Sequence, residues 1–136
     1  MSNQLIFDVI LYIWGDMISP TYITDALGIE PTFTQSKGDK RTLSSGEKAV
    51  AKKGLWQLST KGLVNSECVT DHVVFIIDKI SNREGKITDI EGVEGAHFYI
   101  GIFRDFESKR GVEFDIDPTL LKESYRLGIG FRFVYD

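Results

Sequence analysis

The chain has 136 residues, 42% of them apolar and 26% charged, with a net charge of −4. That balance excludes disorder as the default and suits one α+β domain, residues 1–136, with a sizeable hydrophobic core. A single cysteine, Cys68, excludes an internal disulfide, and the acidic balance weighs against nucleic acid as the main partner.

The apolar run Leu5–Trp14 lacks a basic start, contains Asp8 and is too short to span a bilayer. It reads instead as a first strand. Phe7, Val9, Leu11 and Ile13 form a pure apolar face; Asp8, Ile10, Tyr12 and Trp14 form a mixed one. Such a strand belongs to a sheet covered by helices on one side. With no leader, no span and no disulfide, a cytoplasmic protein without membrane contact is expected.

A short helix follows, with a full set of start and stop signals. Ser19 caps it, Pro20 takes the first turn, Ile18 and Ile23 form a hydrophobic staple, and Gly28 then Pro31 end it. The next twenty residues, Thr34–Gly54, hold three glycines and almost no large apolar side chain, which predicts either a mobile functional loop or a ragged hairpin. Between Gln35 and Gly54 six basic residues face two acidic ones, a net +4 that leaves −8 for the rest of the chain.

Leu55–Thr60 reads as a short strand. Ser66–Ser81 carries Val69, Val73, Ile76, Ile77 and Ile80 at helical spacing, with a cap at Asn65 or Ser66. The run Val73–Ile77 alone would also suit a buried strand; length and the cap favour helix. Asn82–Gly95 returns to the sheet, with a turn of helix near Ile87 and Ile90. Alternation predicts strands at His97–Phe106 and Val112–Ile116, joined by a hairpin loop at residues 107–111. Asp117, Pro118 and Gly128 then repeat the cap, first turn and stop of the first helix, with Ile116 and Leu121 as staple. Either this is capping chemistry used twice or the chain contains a duplication. Ile129–Tyr135 is the last strand. The order β-α-β-α-β-β-α-β implies a mostly antiparallel single-layer sheet with helices on one face, ferredoxin-like or related.

Catalytic residue types are scarce. Cys68 and His72 lie one turn apart on the long helix, but no third group accompanies them, and a buried structural thiol beside an apolar stripe is the better reading. No Cys or His pair has metal-ligand spacing, so no metal and no cofactor are expected. Ser36–Arg41 lacks the glycine pattern of a phosphate loop, which leaves Lys37, Gly38, Lys40 and Arg41 as a candidate anion contact only. Tyr12, Trp14, Tyr99, Phe103 and Arg132 fall on the less apolar register of their strands, a candidate partner-binding face.

The motifs Ile23-Thr24-x-x-Leu27-Gly28-Ile29-x-Pro31-Thr32, Lys37-Gly38-Asp39 and Trp56-x-Leu58-Ser59, the helix containing His72, and the final Leu127-Gly128 resemble a bacterial family of small proteins known as a domain of unknown function. The resemblance runs nearly end to end and implies a fold without a catalytic activity. A non-catalytic module that binds a macromolecule is therefore expected, in the form of a homodimer or of a toxin-immunity protein steered by the −8 charge. The alternative is an enzyme or binder of a small anionic ligand held by residues 35–54.

Overall fold

The computed structural model describes residues 6–103 and 113–135. The apolar face of the first strand dictates the architecture. β1 (Ile6–Gly15) lies at the centre of a five-stranded sheet, with β5 (Gly54–Ser59) on one side and β6 (Gly95–Phe103) on the other, both antiparallel. β2 (Phe33–Gln35) extends the β5 edge and β7 (Gly130–Tyr135) extends the β6 edge, giving the order β2-β5-β1-β6-β7. Only the β6–β7 pair is parallel. A two-stranded sheet, β3 (Lys40–Thr42) with β4 (Lys48–Val50), is inserted between β2 and β5.

The described residues also form three helices and a 3₁₀ turn (Ile87–Asp89): α1 (Pro20–Leu27), α2 (Val69–Ile80) and α3 (Pro118–Leu127). With the hairpin and the α3–β7 addition set aside, β1-α1-β2-β5-α2-β6 interleave in the order β6-β1-β5-β2. That split arrangement is the ferredoxin-like one, an α+β fold with a mostly antiparallel open sheet.

The core lies between the helices and one sheet face. Val9, Leu11 and Ile13 of β1, Trp56 and Leu58 of β5, and Phe98, Ile100 and Ile102 of β6 are all buried there. Ile23 and Leu27 of α1, Val73, Ile76 and Ile80 of α2, and Leu120 and Leu127 of α3 close it from the other side. Trp56 is fully buried, and its indole N–H donates to Thr24 Oγ1 at 3.0 Å, which docks α1 on β5.

Local chemistry sets the helix ends. Ser19 Oγ accepts from Tyr22 N, Asp117 Oδ1 accepts from Leu120 N at 2.8 Å, and Gly28 and Gly128 end their helices at φ of 70° and 73°. At the first helix the staple forms, with Ile18 and Ile23 both buried. At α3 it does not: Leu121 is exposed, and Leu120 turns inward with Ser124 and Leu127.

Three further expectations are corrected, and of the two alternatives for the segment 34–54 the hairpin is the one observed. Helix α2 starts at Val69, not near Ser66; Ser66 Oγ accepts from Cys68 N and donates to Asp71, an alternative to a helical turn at that point. Cys68, expected to be buried, is the exposed N-cap of that helix. Residues 113–117 form no strand, because both edges of β6 are already occupied by β1 and β7. Phe114 and Ile116 instead pack against the core, and Thr70 Oγ1 bonds the Asp115 carbonyl. Val112, the loop 107–111 and the end of the predicted strand at 104–106 lie outside the described residues. Finally, the segment 34–54 is a hairpin continuing the β2–β5 ladder: Gln35 Nε2 donates to Lys53 O, and Gly38 N to Ala51 O.

Candidate functional site

The mixed face of β1 is the face that none of the described helices covers. Strand register sets its side chains in rows. One row runs Phe33, Gln57, Tyr12, His97; the next, towards the hairpin, runs Gln35, Leu55, Trp14, Gly95. On the other side of Tyr12 the row is Ser59, Ile10, Tyr99, Arg132.

Two glycines shape the relief of this face. An added Cβ at Gly95 would lie 2.2 Å from Trp14 Cζ2, and one at Gly101 would lie 2.8 Å from the Tyr99 ring. Each aromatic ring therefore lies down over a glycine rather than standing up from the sheet. Tyr12 and His97 stack with centroids 5.4 Å apart and planes 12° from parallel; Trp14 reaches His97 at 5.0 Å, and Tyr99 reaches Tyr12 at 6.0 Å.

The result is a depression of about 300 Å³ lined by Tyr12, Trp14, Lys53, Leu55, His97, Tyr99 and Arg132. Lys53 enters from the hairpin beside β5 and Arg132 from β7, with β1 and β6 between them. Among the described residues, no carboxylate lines the depression, and neither cation is in an ion pair. Burial, then the Arg132 guanidinium, then the Lys53 ammonium hold His97 below its ordinary 6.5. At neutral pH it is an uncharged ring with one donor and one acceptor.

Four of the five residues expected on the partner-binding face, Tyr12, Trp14, Tyr99 and Arg132, thus share one concavity. Phe103 has the same register but stands four residues beyond Tyr99, about 13 Å along β6. Sequence reasoning missed His97, Lys53 and Leu55. His97 was recognisable from its alternation with Tyr99, whereas Lys53 and Leu55 reach the site only because β5 pairs with β1.

The candidate anion contact does not converge. Lys37 Nζ pairs with Asp16 at 3.3 Å, Gly38 occupies a turn at φ 93°, and Lys40 and Arg41, adjacent on β3, point to opposite sides of the hairpin.

Cys68 and His72 form no dyad. His72 is buried, with Nδ1 2.6 Å from Thr60 Oγ1 and Nε2 2.8 Å from the Ser66 carbonyl. A carbonyl only accepts, so Nε2 carries the proton, and both ring nitrogens are engaged without the thiol. A depression of about 450 Å³ adjoins this histidine, but its charges (Asp8, Lys61, Glu67) are of mixed sign. Among the described residues, no three His, Cys, Asp or Glu side chains are grouped to hold a metal ion, and no helix is long and apolar enough to cross a membrane.

Residues 4–136 match the family described as domain of unknown function DUF4279. The chain belongs to that family. The DUF4279 match covers the sheet, the hairpin and all three helices, so the aromatic depression lies wholly inside it. No curated protein and no solved structure matches the chain.

Proposed function

We propose that this DUF4279 chain is a non-catalytic binding module whose site is the open face of the sheet. Its ligand presents a planar ring together with negative charge. The observation that carries the reading is the lining of the depression: three aromatic side chains and a neutral imidazole between two cations, with no carboxylate among the described residues. Aromatic rings supply stacking area, and Lys53 and Arg132 complement an anion from two sides.

This arrangement favours the anionic-ligand alternative over the two macromolecular forms, while moving the contact from Lys37, Lys40 and Arg41 to Lys53 and Arg132. A cationic toxin, which the −8 charge elsewhere would attract, meets like charge at this face. A homodimer through the face would bring the same cations of two copies together around the two-fold axis.

Trp14 gives a direct test, because the chain's other tryptophan, Trp56, is fully buried. Uridine monophosphate and benzoate should quench Trp14 emission to saturation, benzylamine should not, and Arg132→Gln should weaken both anions. Equal responses to benzoate and benzylamine, or none to any anion, would refute the proposal. Sedimentation velocity tests the homodimer: a dimer that Tyr12→Ala dissociates would replace it.

A further inference from the structure

The hairpin and the depression form one continuous feature. The β2–β5 ladder ends at Gln35 and Leu55, and the ribbon continues past it through the Gln35–Lys53 and Gly38–Ala51 bonds into β3 and β4. Trp14 occupies the row at that same end of the sheet. The ribbon carries Lys37, Lys40, Arg41, Lys48, Lys52 and Lys53, and among the described residues only Lys37 is in an ion pair. All six are exposed. The open registers of the five strands contain one described carboxylate, Asp8, at the end away from the hairpin.

Among the described residues, cations outside any ion pair therefore line the hairpin down to Lys53, Lys40 and Lys48 on one of its faces and Arg41 on the other. From Lys53 the path crosses Trp14, Tyr12 with His97, and Tyr99, and ends at Arg132. A single small anion would use two of these cations and leave the hairpin without a role. A ligand with repeated negative charge and repeated planar rings would use Lys53, Arg132 and the cations on one face of the hairpin. That chemistry is a single-stranded polynucleotide, whose bases stack on aromatic side chains while its backbone follows a basic groove.

Resting on the binding site proposed above, we infer that the ligand is single-stranded nucleic acid, its bases on the aromatic rows and its phosphates on Lys53, Arg132 and the hairpin. The net charge of −4 does not oppose this, because backbone binding responds to local charge, and the acidic residues lie largely off this face. A duplex would not serve: its bases are already stacked on one another and do not present their faces to the aromatic rings.

The test is fluorescence anisotropy of the full chain with short labelled oligo(U) and oligo(dT), a labelled duplex, and uridine monophosphate followed by Trp14 quenching. The inference expects a single strand to bind about tenfold or more tighter than the mononucleotide and than the duplex. Binding should weaken with salt, and the combined Lys40→Ala, Lys48→Ala variant, which clears one face of the hairpin, should flatten the log–log salt slope by about 1.4, two contacts at about 0.7 each. That variant should leave uridine monophosphate binding unchanged, whereas Tyr12→Ala should weaken both ligands. Binding of either oligo(U) or oligo(dT) supports the inference, and their ratio tells RNA from DNA. Mononucleotide binding with no gain for the oligonucleotides would overturn the inference and leave the binding module standing. No binding of any anion would overturn both. A Tyr12-dependent dimer that ignores oligonucleotides would overturn both in favour of self-association.

Discussion

Gly95→Ala is the sharpest probe of how the open face is built. The added Cβ would sit 2.2, 2.5 and 2.7 Å from three atoms of the Trp14 ring, whereas ordinary contact begins at 3.4 Å. The ring must therefore move by at least 3.4 − 2.2 = 1.2 Å. Because Trp14 is only half-buried, it has room to swing outwards, which costs less than crowding in a closed core. The swing forfeits its contact with His97, worth about 0.5–1.5 kcal/mol, together with some apolar area. A total of about 1–2 kcal/mol results, within the usual range for overpacking and equivalent to a Tm loss of roughly 3–6 °C. Urea unfolding followed by far-UV circular dichroism reads the stability change, and a red shift of tryptophan emission reads the swing. Gly101→Ala provides an internal scale, since its closest approach to Tyr99 is 2.8 Å and the required shift only 3.4 − 2.8 = 0.6 Å. Wild-type stability and emission in Gly95→Ala, or a larger loss at Gly101 than at Gly95, would show that the rings do not lie on these glycines.

Gly28→Ala and Gly128→Ala should each destabilise by about 1 kcal/mol by denaturant melts, with the larger loss at Gly128, where the new Cβ also meets Lys86 Cβ at 3.1 Å. Thr24→Val should cost about 1–3 kcal/mol, because it strips the acceptor from the buried Trp56 indole N–H; a neutral result would mean that the hydrogen bond is absent in solution. Cys68→Ser should be neutral or stabilising by up to about 1 kcal/mol, since an exposed N-cap without a side-chain bond gains a hydroxyl cap. His97 is held below 6.5 in the folded state, so the unfolded chain binds more protons in that window, and stability falls as pH drops from 6.5 towards the folded value. His97→Gln should flatten that part of the pH–stability curve, and an unchanged slope would refute the assignment.

The helix ends were legible in the sequence because capping is decided within four or five residues: Ser19, Pro20 and Gly28 need only each other. Alternation along β1, β6 and β7 is equally local, and it made Tyr12, Trp14, Tyr99 and Arg132 of the depression legible. What was not legible depends on pairing at a distance. Lys53 and Leu55 join Trp14 only through the β1–β5 ladder, and no local pattern marks them. The alternation of Phe114 and Ile116 imitates a strand, yet a strand needs a free partner edge, and β6 has none. Leu121 matched a staple position by count, but the rotation of α3 on the sheet chose Leu120. The distant start of α2 follows from a serine side chain that competes with the helix for backbone amides.

Because β1 is flanked by β5 and β6, it leaves the ribosome before either of its partners and is completed only when both have followed. Its partners arrive some forty and eighty residues later, at Gly54–Ser59 and Gly95–Phe103. Until then ten residues stand with two unpaired edges and an unburied Val9, Leu11 and Ile13. Folding of this sheet is therefore governed by loop closure over long separations. Truncation before Gly95 leaves β1 with one edge permanently open, and the fragment should aggregate through that strand.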